Sequence, residues 1–370
     1  MFAAHLPPMH GERRDGEIHV GGDARQRFHD SRGYGRPLQG NEIALAPVEA
    51  AHLLFRGDLD AVDGDGFREF VERGGDGFAA RFFVYADLRD RGFYLSPAAL
   101  DWDVVPDTGD RTDFVVYERG TGPRDGDVAH EIRVVGERTP VAVDSLGESV
   151  LAVVDEESEI TYLDSDSVTP DGDTDYEPDA ALTGVLLDDR VMVWNPPEAL
   201  YESGFYGQPL SGRSTEHDAL HLSLVEAAYL AARGTLTLEN DEDADGSVAV
   251  EEGSADAGVN AVVSRGRAVE GDRFDRRLRA YRALRDAGTV PKTGFKFGAD
   301  FRVYQTVDSV ENLGHSTWLV RALQRDHAFE PRDLALDVRL AHGVRKTMVF
   351  AREDHERDTT DWVAVTRLTP

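Results

Sequence analysis

The hydrophobic and polar positions along this 370-residue chain predict alternating helices and strands. An apolar run with a proline near its start and a glycine after its end predicts a helix over 45–57. Further helices are predicted over 65–74 and 84–92, and residues 16–22 predict a short strand. Later strands are predicted in the runs DFVVYERG, EIRVV, VAVDS and SVLAVVDEESEITYL. This mixture indicates a layered α/β protein.

Four segments of the first half return in the same order in the second half. PVEAAHLLFRG at 47–57 returns as LVEAAYLAARG at 224–234, with seven identities in eleven positions. The other three pairs are GYGRPL (33–38, predicted as a turn-rich connector) with FYGQPL (205–210), VYADLRDRG (84–92) with AYRALRDAG (280–288), and DFVVY (113–117) with DFRVY (300–304). Their separation, near 180 residues, is too long for a solenoid repeat, so we interpret it as an internal duplication.

Two acidic segments interrupt the repeated pattern. Residues 164–179 (DSDSVTPDGDTDYEPD) lie between the copies and are interpreted as a linker. Residues 239–257 hold eight acidic residues in 19 and predict a solvated loop inserted in the second copy. The first copy is predicted to divide into 1–80 and 81–163, and the second into 180–276 and 277–370.

The net charge of −30 has two interpretations. A strongly acidic surface keeps a protein soluble in a molar-salt cytoplasm, where charges are screened over about 3 Å; alternatively, the protein repels nucleic acid. Residues 277–370 hold 16 Lys and Arg against 13 Asp and Glu, a net +3, which leaves −33 on the first 276 residues. The last quarter is therefore predicted to bind a polyanion.

Composition also excludes several kinds of chemistry and location. The chain has no cysteine, which excludes disulfides, thiolate metal sites and cysteine nucleophiles. The apolar run at the N-terminus is too short for a signal peptide, and no run approaches the length that spans a membrane. We expect a soluble, cytoplasmic protein without a membrane partner.

The candidate chemistry lies in residues 281–350, which contain all three lysines of the chain: Lys292, Lys296 and Lys346. Tyr304, His315 and Lys346 offer a base, an acid and a charge stabiliser with no metal and no cofactor. Each has a structural alternative: a packed strand tyrosine, a histidine that caps a helix start, and a lysine at a solvated helix end. The first copy lacks the set, because GESVLAVV stands where the second copy has VRKTMVFA. We interpret the first copy as scaffold.

The segments KTGFKFGADFRVY, GHSTWLV and RLAHGVRK resemble the archaeal tRNA-splicing endonucleases. The resemblance extends over about 16–368 and is to the duplicated form, in which an inactive copy precedes an active one and the chain forms a homodimer. It implies two tandem units, each a helix-plus-antiparallel-sheet subdomain followed by an α/β, restriction-endonuclease-like subdomain. Residues 277–370 would then be the catalytic subdomain and 81–163 its degenerate counterpart.

The resemblance also implies a reaction. Members of this family cut precursor tRNA at a bulge–helix–bulge, without metal, and leave 2′,3′-cyclic phosphate and 5′-hydroxyl ends. Tyr304 would take the proton of the ribose 2′-hydroxyl, His315 would protonate the leaving 5′-oxygen, and Lys346 would stabilise the charge on phosphorus. Because the attacking hydroxyl belongs to RNA, DNA is not a substrate.

Further site residues are predicted, some from the resemblance and some from the cations of this stretch. Arg339 and Arg367 match two arginines that clamp a bulge base, and Lys292, Lys296 and Arg345 complete the predicted RNA-binding set. An acidic loop of the inactive copy is expected to dock into a basic cleft of the partner chain. The residues of that loop are Asp155, Glu156, Glu157 and Glu159, for which an ordinary acidic hairpin turn is the alternative.

Two other functions compete with this one. A metal-dependent nuclease with a restriction-type core needs carboxylates near its lysine, often two positions before it, but that position is Val344. A non-catalytic RNA-binding or assembly subunit would not need Tyr304, His315 and Lys346 to be retained together, whereas the first copy has lost them.

Overall fold

The computed structural model describes residues 8–98, 102, 106, 108–179, 181–210, 219–239, 255–354 and 359–370. The chain divides into two compact units. Unit 1 comprises the residues up to Asp166 with Ala328–Leu336 and Thr366–Pro370, and unit 2 comprises Ser167–His327 and Asp337–Val365. Most of the predicted insertion, residues 240–254, lies outside the described residues, and its last three residues form the first turn of a helix.

The helices begin and end at signals in their own sequence. Pro47 is the first residue of the first helix, where its missing N–H needs no partner, and the chain turns at Gly57 with φ of 68°. The predicted helix 84–92 begins earlier because Phe78 and Phe82 already lie on its buried face. The helices are α1 (Pro47–Phe55), α2 (Phe67–Glu72), α3 (Phe78–Asp90), α4 (Glu198–Glu202), α5 (Leu224–Ala232), α6 (Ala255–Glu270), α7 (Asp272–Asp286) and α8 (Pro331–Gly343). Among the described helices, none has the length and apolar composition needed to cross a bilayer.

Unit 1 contains two main sheets. Its strands are β1 (His10–Arg14), β2 (Glu17–Val20), β3 (Arg36–Pro37), β4 (Ile43–Leu45), β5 (Ala61–Val62), β6 (Leu95–Pro97), β7 (Phe114–Tyr117), β8 (Val128–Gly136), β9 (Val141–Ala142), β10 (Val150–Val154) and β11 (Ile160–Ser167). The first sheet has the order β3-β4-β2-β1-β5, and the second has the order β6-β7-β8-β10-β11. The segment 33–38, predicted as a connector, supplies β3, because Arg36 and Pro37 pair with β4.

Unit 2 repeats this arrangement. The remaining strands are β12 (Leu182–Leu186), β13 (Arg190–Trp194), β14 (Gln208–Pro209), β15 (Ala219–Ser223), β16 (Leu236–Leu238), β17 (Val290–Thr293), β18 (Phe301–Tyr304), β19 (Trp318–Ala322), β20 (Ala328–Phe329), β21 (Thr347–Asp354) and β22 (Thr359–Leu368). Its first sheet has the order β14-β15-β13-β12-β16 and its second the order β17-β18-β19-β21-β22. The exception is β20, which belongs to unit 1 and pairs there with β9. Matching strand orders support the duplication predicted from the repeated segments.

The two second sheets differ in one connection. In each sheet all neighbouring strands are antiparallel except one parallel pair, β8 with β10 and β19 with β21. In the second copy the chain between the parallel strands includes α8. In the first copy it includes only β9 and a 3₁₀ turn at Val143–Ser145 among its regular elements. The helix that carries Arg339 therefore has no counterpart in the described part of the first copy.

A buried glutamate ties α1 in the first copy, and α5 in the second, to the loop that precedes the helix. Glu49 accepts hydrogen bonds from the N–H groups of Gly35 and Ala46, both at 2.8 Å. Glu226 does the same for Gly207 and Ser223, both at 3.0 Å. Gly35 has φ of 60°, and a Cβ there would lie 2.3 Å from the carbonyl oxygen of Ala44, so only glycine fits. The bonds of Glu226 fix the loop before β14, and this loop borders the site described next.

Candidate active site

Three strand ends of unit 2 meet at one edge of its second sheet. β18 ends at Tyr304, whereas the neighbouring strands β19 and β21 begin at Trp318 and Thr347. Because β18 is antiparallel to β19 and β19 is parallel to β21, the end of the first strand lies beside the starts of the other two. Just outside the strands, the N–H of Thr317 donates to the carbonyl of Val303, and the N–H of Thr347 donates to that of Thr317.

This edge gathers the three predicted catalytic residues. Tyr304 closes β18, His315 lies three positions before β19, and Lys346 directly precedes β21. Neighbouring strands are about 4.8 Å apart. The backbones of Tyr304 and Lys346, two strands apart, are therefore separated by roughly 10 Å, a distance that their side chains can span toward a common ligand.

The ring of Tyr304 is packed but its hydroxyl is free. The residue is 5% exposed, and its ring lies against Phe205 with 5.7 Å between the ring centroids. The interpretation of a packed strand tyrosine is thus correct for the ring. Its hydroxyl has no hydrogen-bond partner among the described residues. At the same position of the first copy, the hydroxyl of Tyr117 donates to Ser96 Oγ at 3.1 Å.

His315 lies in an exposed, irregular segment that leads directly into β19. The alternative that it caps the start of a helix is wrong, because residues 313–317 have no helical structure and a strand follows them. The next residue, Ser316, is buried. The imidazole is thus accessible from solvent while the backbone that carries it is fastened to the sheet.

Lys346 is held at the same edge by its own side chain. Its ammonium group donates a hydrogen bond to the carbonyl oxygen of Ser316 at 2.6 Å. The residue is half-buried, three positions after α8 ends, so a fully solvated helix end does not describe it. Burial, and next the guanidinium of Arg302, lower the pKa of Lys346 below its ordinary value.

The turn before Lys346 has a constrained backbone. Arg345 adopts φ of 57°, in the left-handed region that non-glycine residues rarely occupy. The N–H of Lys346 donates to the carbonyl of Ala341 at 2.9 Å, which closes the C-terminus of α8. The direction in which the chain leaves α8, and with it the position of Lys346, follows from this turn.

Arg302 was not among the predicted site residues, although it lies beside two of them. Its guanidinium carbon is 5.7 Å from the centroid of the Tyr304 ring, and its charge lowers the pKa of Lys346 after the effect of burial. The signal was present in the repeated segments, because DFVVY in the first copy and DFRVY in the second differ at Val115 and Arg302.

Lys292 is not available to RNA, so that prediction is wrong. Its side chain is 9% exposed, and its three N–H groups donate to the carbonyls of Phe205 and Gly207 and to Glu226. Burial alone would raise the pKa of Glu226, but the ammonium of Lys292 lowers it to about 2. Glu49 is the counterpart of Glu226 in the first copy. It lacks a lysine partner, and burial raises the pKa of its carboxyl to about 7. Lys292 is thus a structural lysine.

The other predicted RNA-binding residues are exposed. Lys296 lies in the short 3₁₀ turn Phe295–Phe297 between β17 and β18, beside Phe295, which is 87% exposed. Arg339 is an exposed residue of α8, and Arg345 is exposed in the turn after it. Arg367 is exposed on β22, two residues past Val365, the last residue paired with β21. Composition did not single out Phe295, because a lone phenylalanine is usually buried.

The predicted acidic loop is a tight hairpin turn between β10 and β11. Asp155 Oδ1 accepts hydrogen bonds from the N–H groups of Glu157 and Glu159, and Ser158 has φ of 66°. Glu156 forms an ion pair with Arg138 at 3.0 Å. Within the turn, Glu157 and Glu159 keep exposed carboxylates without an ion-pair partner among the described residues. The hairpin-turn alternative therefore describes its structure, and two of its four acids project into solvent.

Comparison with known families defines the class of protein. The model of the tRNA intron endonuclease N-terminal domain matches residues 9–72 and again 182–248, and that of the tRNA intron endonuclease catalytic C-terminal domain matches residues 274–361. The N-terminal domain thus occurs twice, whereas the catalytic match contains the edge at which Tyr304, His315 and Lys346 meet. The chain belongs to the tRNA intron endonuclease family.

Full-length relatives agree with this assignment. The tRNA-splicing endonuclease of Halobacterium salinarum is 60% identical over 98% of this chain and 100% of its own length. The tRNA-splicing endonuclease of Haloferax volcanii is 54% identical over the same shares. That of Methanosarcina mazei is 37% identical over 91% of this chain and 93% of its own. The similarity therefore extends over both copies.

Proposed function

We propose that the protein excises introns from precursor tRNA by cutting at bulge–helix–bulge junctions without a metal ion. The observation that carries the proposal is the meeting of Tyr304, His315 and Lys346 at three adjoining strand ends of the second copy. The first copy, built on the same strand order, has Tyr117 bonded to Ser96 and no lysine. The same fold occurs in both copies, but only the second copy carries the three residues together. This difference favours a specific reaction over a role in packing.

The proposed reaction is an internal transfer at phosphorus. The deprotonated Tyr304 oxygen removes the proton of the ribose 2′-hydroxyl, and the 2′-oxygen attacks the adjacent phosphorus. His315, protonated, gives its proton to the 5′-oxygen as the bond from phosphorus to that oxygen breaks. The ammonium of Lys346 stabilises the additional negative charge on the pentacoordinate phosphorus. The products are a 2′,3′-cyclic phosphate and a 5′-hydroxyl, the chemistry of a tRNA-intron lyase.

Exposed cations of the second copy would hold the RNA. Arg339 and Arg367 would clamp a bulge base by stacking, while Lys296 and Arg345 would contact phosphates. Phe295 adds an exposed aromatic ring next to Lys296 on which an unpaired base could stack. At molar salt, phosphate contacts weaken steeply, so stacking would carry more of the affinity than charge does.

We further propose that the chain works as a cytoplasmic homodimer with a restriction-endonuclease-like catalytic sheet. Glu157 and Glu159 would dock into a basic cleft of a second copy of the chain, as the exposure of their carboxylates permits. Two active copies in one dimer would match the two cleavage sites that border one intron.

The reaction is tested with an intron-containing precursor tRNA in high potassium chloride with EDTA. We expect release of the intron, with 2′,3′-cyclic phosphate on the upstream fragment and 5′-hydroxyl on the downstream one. A matched substrate with a single 2′-deoxynucleotide at each cleavage site should bind but remain uncut, because it lacks the attacking hydroxyl.

Three results would contradict the proposal. Activity that appears only when magnesium is added would favour a metal-dependent nuclease. Binding of the precursor without cleavage in any condition would favour an RNA-binding subunit. Cleavage of the 2′-deoxy substrate would show that the attacking group is not the ribose hydroxyl, and the roles of Tyr304 and His315 would then be wrong.

A further inference from the structure

Arg302 lies on the middle of β18, two residues before Tyr304. Side chains of a strand alternate between its two faces, so Arg302 and Tyr304 share one face while Phe301 and Val303 point into the core. The guanidinium carbon of Arg302 is 5.7 Å from the centroid of the Tyr304 ring. Arg302 thus lies on the same face of the sheet as the proposed base and close to its ring.

The guanidinium of Arg302 has no anionic partner in the part of the chain that the structure describes. Its Nε is buried without a hydrogen-bond acceptor, and Arg302 forms no ion pair with any residue of the described ranges. An unsatisfied Nε also occurs at Arg277, but that arginine forms an ion pair with Glu270, as Arg273 does with Asp300. A buried Nε that lacks an acceptor is costly, and an incoming anion would relieve that cost.

Arg302 interacts electrostatically with two lysines. Burial, and next the charge of Arg302, lower the pKa of Lys346. The pKa of Lys292 is lowered chiefly by burial, against the opposing effect of Glu226, and Arg302 adds the smallest contribution, after Arg285. The carboxylate of Glu226 is already bonded to Lys292, which leaves the charges of Arg302 and Lys346 without a counter-ion among the described residues. Two such cations on strands that are separated by only β19 repel one another and attract a ligand of multiple negative charge.

The first copy provides an internal comparison. The residue equivalent to Arg302 is Val115, which is fully buried on β7. The same strand position therefore folds with an aliphatic side chain, so the fold does not require an arginine there. The charged residue occurs in the copy that also carries Tyr304, His315 and Lys346.

We propose that Arg302 is a further catalytic residue, which binds the non-bridging oxygens of the scissile phosphate together with Lys346. This inference rests on the proposed function. Its planar guanidinium can donate two parallel hydrogen bonds to a phosphate, whereas Lys346 acts as a point charge. As the 2′-oxygen attacks, the non-bridging oxygens gain negative charge, and the two cations stabilise it in the transition state more than in the ground state.

The test compares Arg302→Gln, Arg302→Lys and Arg302→Val with Arg325→Gln, an exposed arginine that serves as the charge-matched control. Single-turnover cleavage of the precursor is measured at saturating protein. We expect Arg302→Gln and Arg302→Val to be slower by about 10²-fold or more, Arg302→Lys to recover a large part of that loss, and Arg325→Gln to match wild type.

A sulfur substitution reports on direct contact. Precursors with one non-bridging oxygen of the scissile phosphate replaced by sulfur, as separate stereoisomers, weaken hydrogen bonds at that atom. We expect wild type to cut one isomer more slowly than the all-oxygen substrate, and Arg302→Gln to lose this discrimination. A sulfur effect of equal size in wild type and Arg302→Gln would overturn the proposal, as would full activity of Arg302→Gln.

Sedimentation shows whether a variant of Arg302 still assembles. It therefore distinguishes a role of Arg302 in assembly from a role at the phosphate. Arg302 also lines an open cavity of about 380 Å³ with Lys292 and Thr293, which a partner chain could occupy. Sedimentation of each variant therefore accompanies the kinetics, and conversion of Arg302→Lys or Arg302→Val to a monomer would overturn the phosphate role. Should Arg302→Gln fail to fold, Arg302→Lys undergoes the same sulfur comparison. If wild type itself does not cut in EDTA, the proposed function fails rather than this inference alone.

Discussion

The ammonium group of Lys346 donates a 2.6 Å hydrogen bond to the carbonyl oxygen of Ser316, the residue that follows His315. This bond joins the start of β21 to the segment that leads into β19, although 30 positions separate the two residues in the sequence. The proposed acid and the proposed charge stabiliser are thereby held on adjoining backbones. A lysine fixed in this way approaches a phosphate with little loss of conformational entropy.

Replacement of Lys346 tests its role as charge stabiliser. We expect Lys346→Met to slow single-turnover cleavage by about 10²–10³-fold with little change in affinity for the precursor. Lys346→Arg should restore only part of the rate, because a planar guanidinium is larger than an ammonium and does not place its charge at the same point. An equal loss of affinity and rate would instead indicate a binding role. Arg325→Met, at an exposed site, controls for the loss of one charge.

His315 can be tested by a change in the leaving group. We expect His315→Ala to be slower by about 10²–10⁴-fold on an ordinary precursor. A precursor with sulfur in place of the scissile 5′-oxygen needs no proton donor, because a thiol ionises near pH 8.5. His315→Ala should cut that substrate nearly as fast as wild type, whereas Tyr304→Phe should stay slow on both. If the sulfur substrate restored the rates of His315→Ala and Tyr304→Phe equally, the assignment of His315 as the acid and Tyr304 as the base would be refuted.

The buried pair of Lys292 and Glu226 predicts a stability effect distinct from catalysis. Lys292→Met leaves a buried carboxylate without its cation and should lower the free energy of unfolding by about 3–5 kcal/mol. Lys292→Met combined with Glu226→Gln should recover most of this loss. Denaturant unfolding in high potassium chloride measures both. If Lys292→Met unfolds like wild type but binds RNA more weakly, the structural assignment of Lys292 is incorrect.

The same pair makes the free energy of unfolding depend on pH in the acid range. The pKa of Glu226 is about 2 in the folded protein against an ordinary value of 4.5, so the unfolded state binds more protons between these values. Its contribution is fully present above pH 4.5 and is lost as the pH falls through about 2. Below pH 6, the free energy of unfolding should therefore fall less steeply with pH in the double variant Lys292→Met with Glu226→Gln than in wild type.

The proposed base clamp predicts an effect that depends on the substrate. Arg339→Ala should weaken binding of the precursor by about 1–3 kcal/mol, the usual contribution of one stacked base. With an abasic residue in the bulge, wild type and Arg339→Ala should bind alike. Arg367→Ala should behave in the same way if it is the second clamping arginine. Arg332→Ala, at an exposed position of α8, is the matched control, and an effect of Arg339→Ala that persists on the abasic substrate would refute stacking.

The acidic hairpin predicts a change in assembly. Reversal of charge in Glu157→Lys with Glu159→Lys should weaken dimer formation about tenfold or more, because like charges would then face a basic cleft. Sedimentation over a range of protein concentrations measures this. Asp110→Lys with Glu118→Lys makes the same change of net charge at exposed positions of unit 1. A dimer that survives the hairpin variant would place the contact elsewhere.

Much of the fold was predictable because its signals are local. Pro47 and Gly57 bound a helix through their own backbone preferences, and the helices over 45–57 and 65–74 were predicted close to their observed ends. The repeated segments predicted the duplication, which appears as one strand order in both units. The three candidate catalytic residues stood out because one copy keeps them and the other does not.

The sequence by itself thus determined the elements, the duplication and the candidate chemistry, since each is written in short runs of neighbouring residues. Tertiary structure alone decided which cations are free. Lys292 and Lys346 look alike in the sequence, yet Lys292 is buried against Glu226, 66 positions away, while Lys346 stays at the edge of the sheet. Arg302 is half-buried without an ion-pair partner among the described residues, whereas Arg273 is bonded to Asp300. Burial and ion pairing depend on contacts between distant parts of the chain, and no local pattern specifies them.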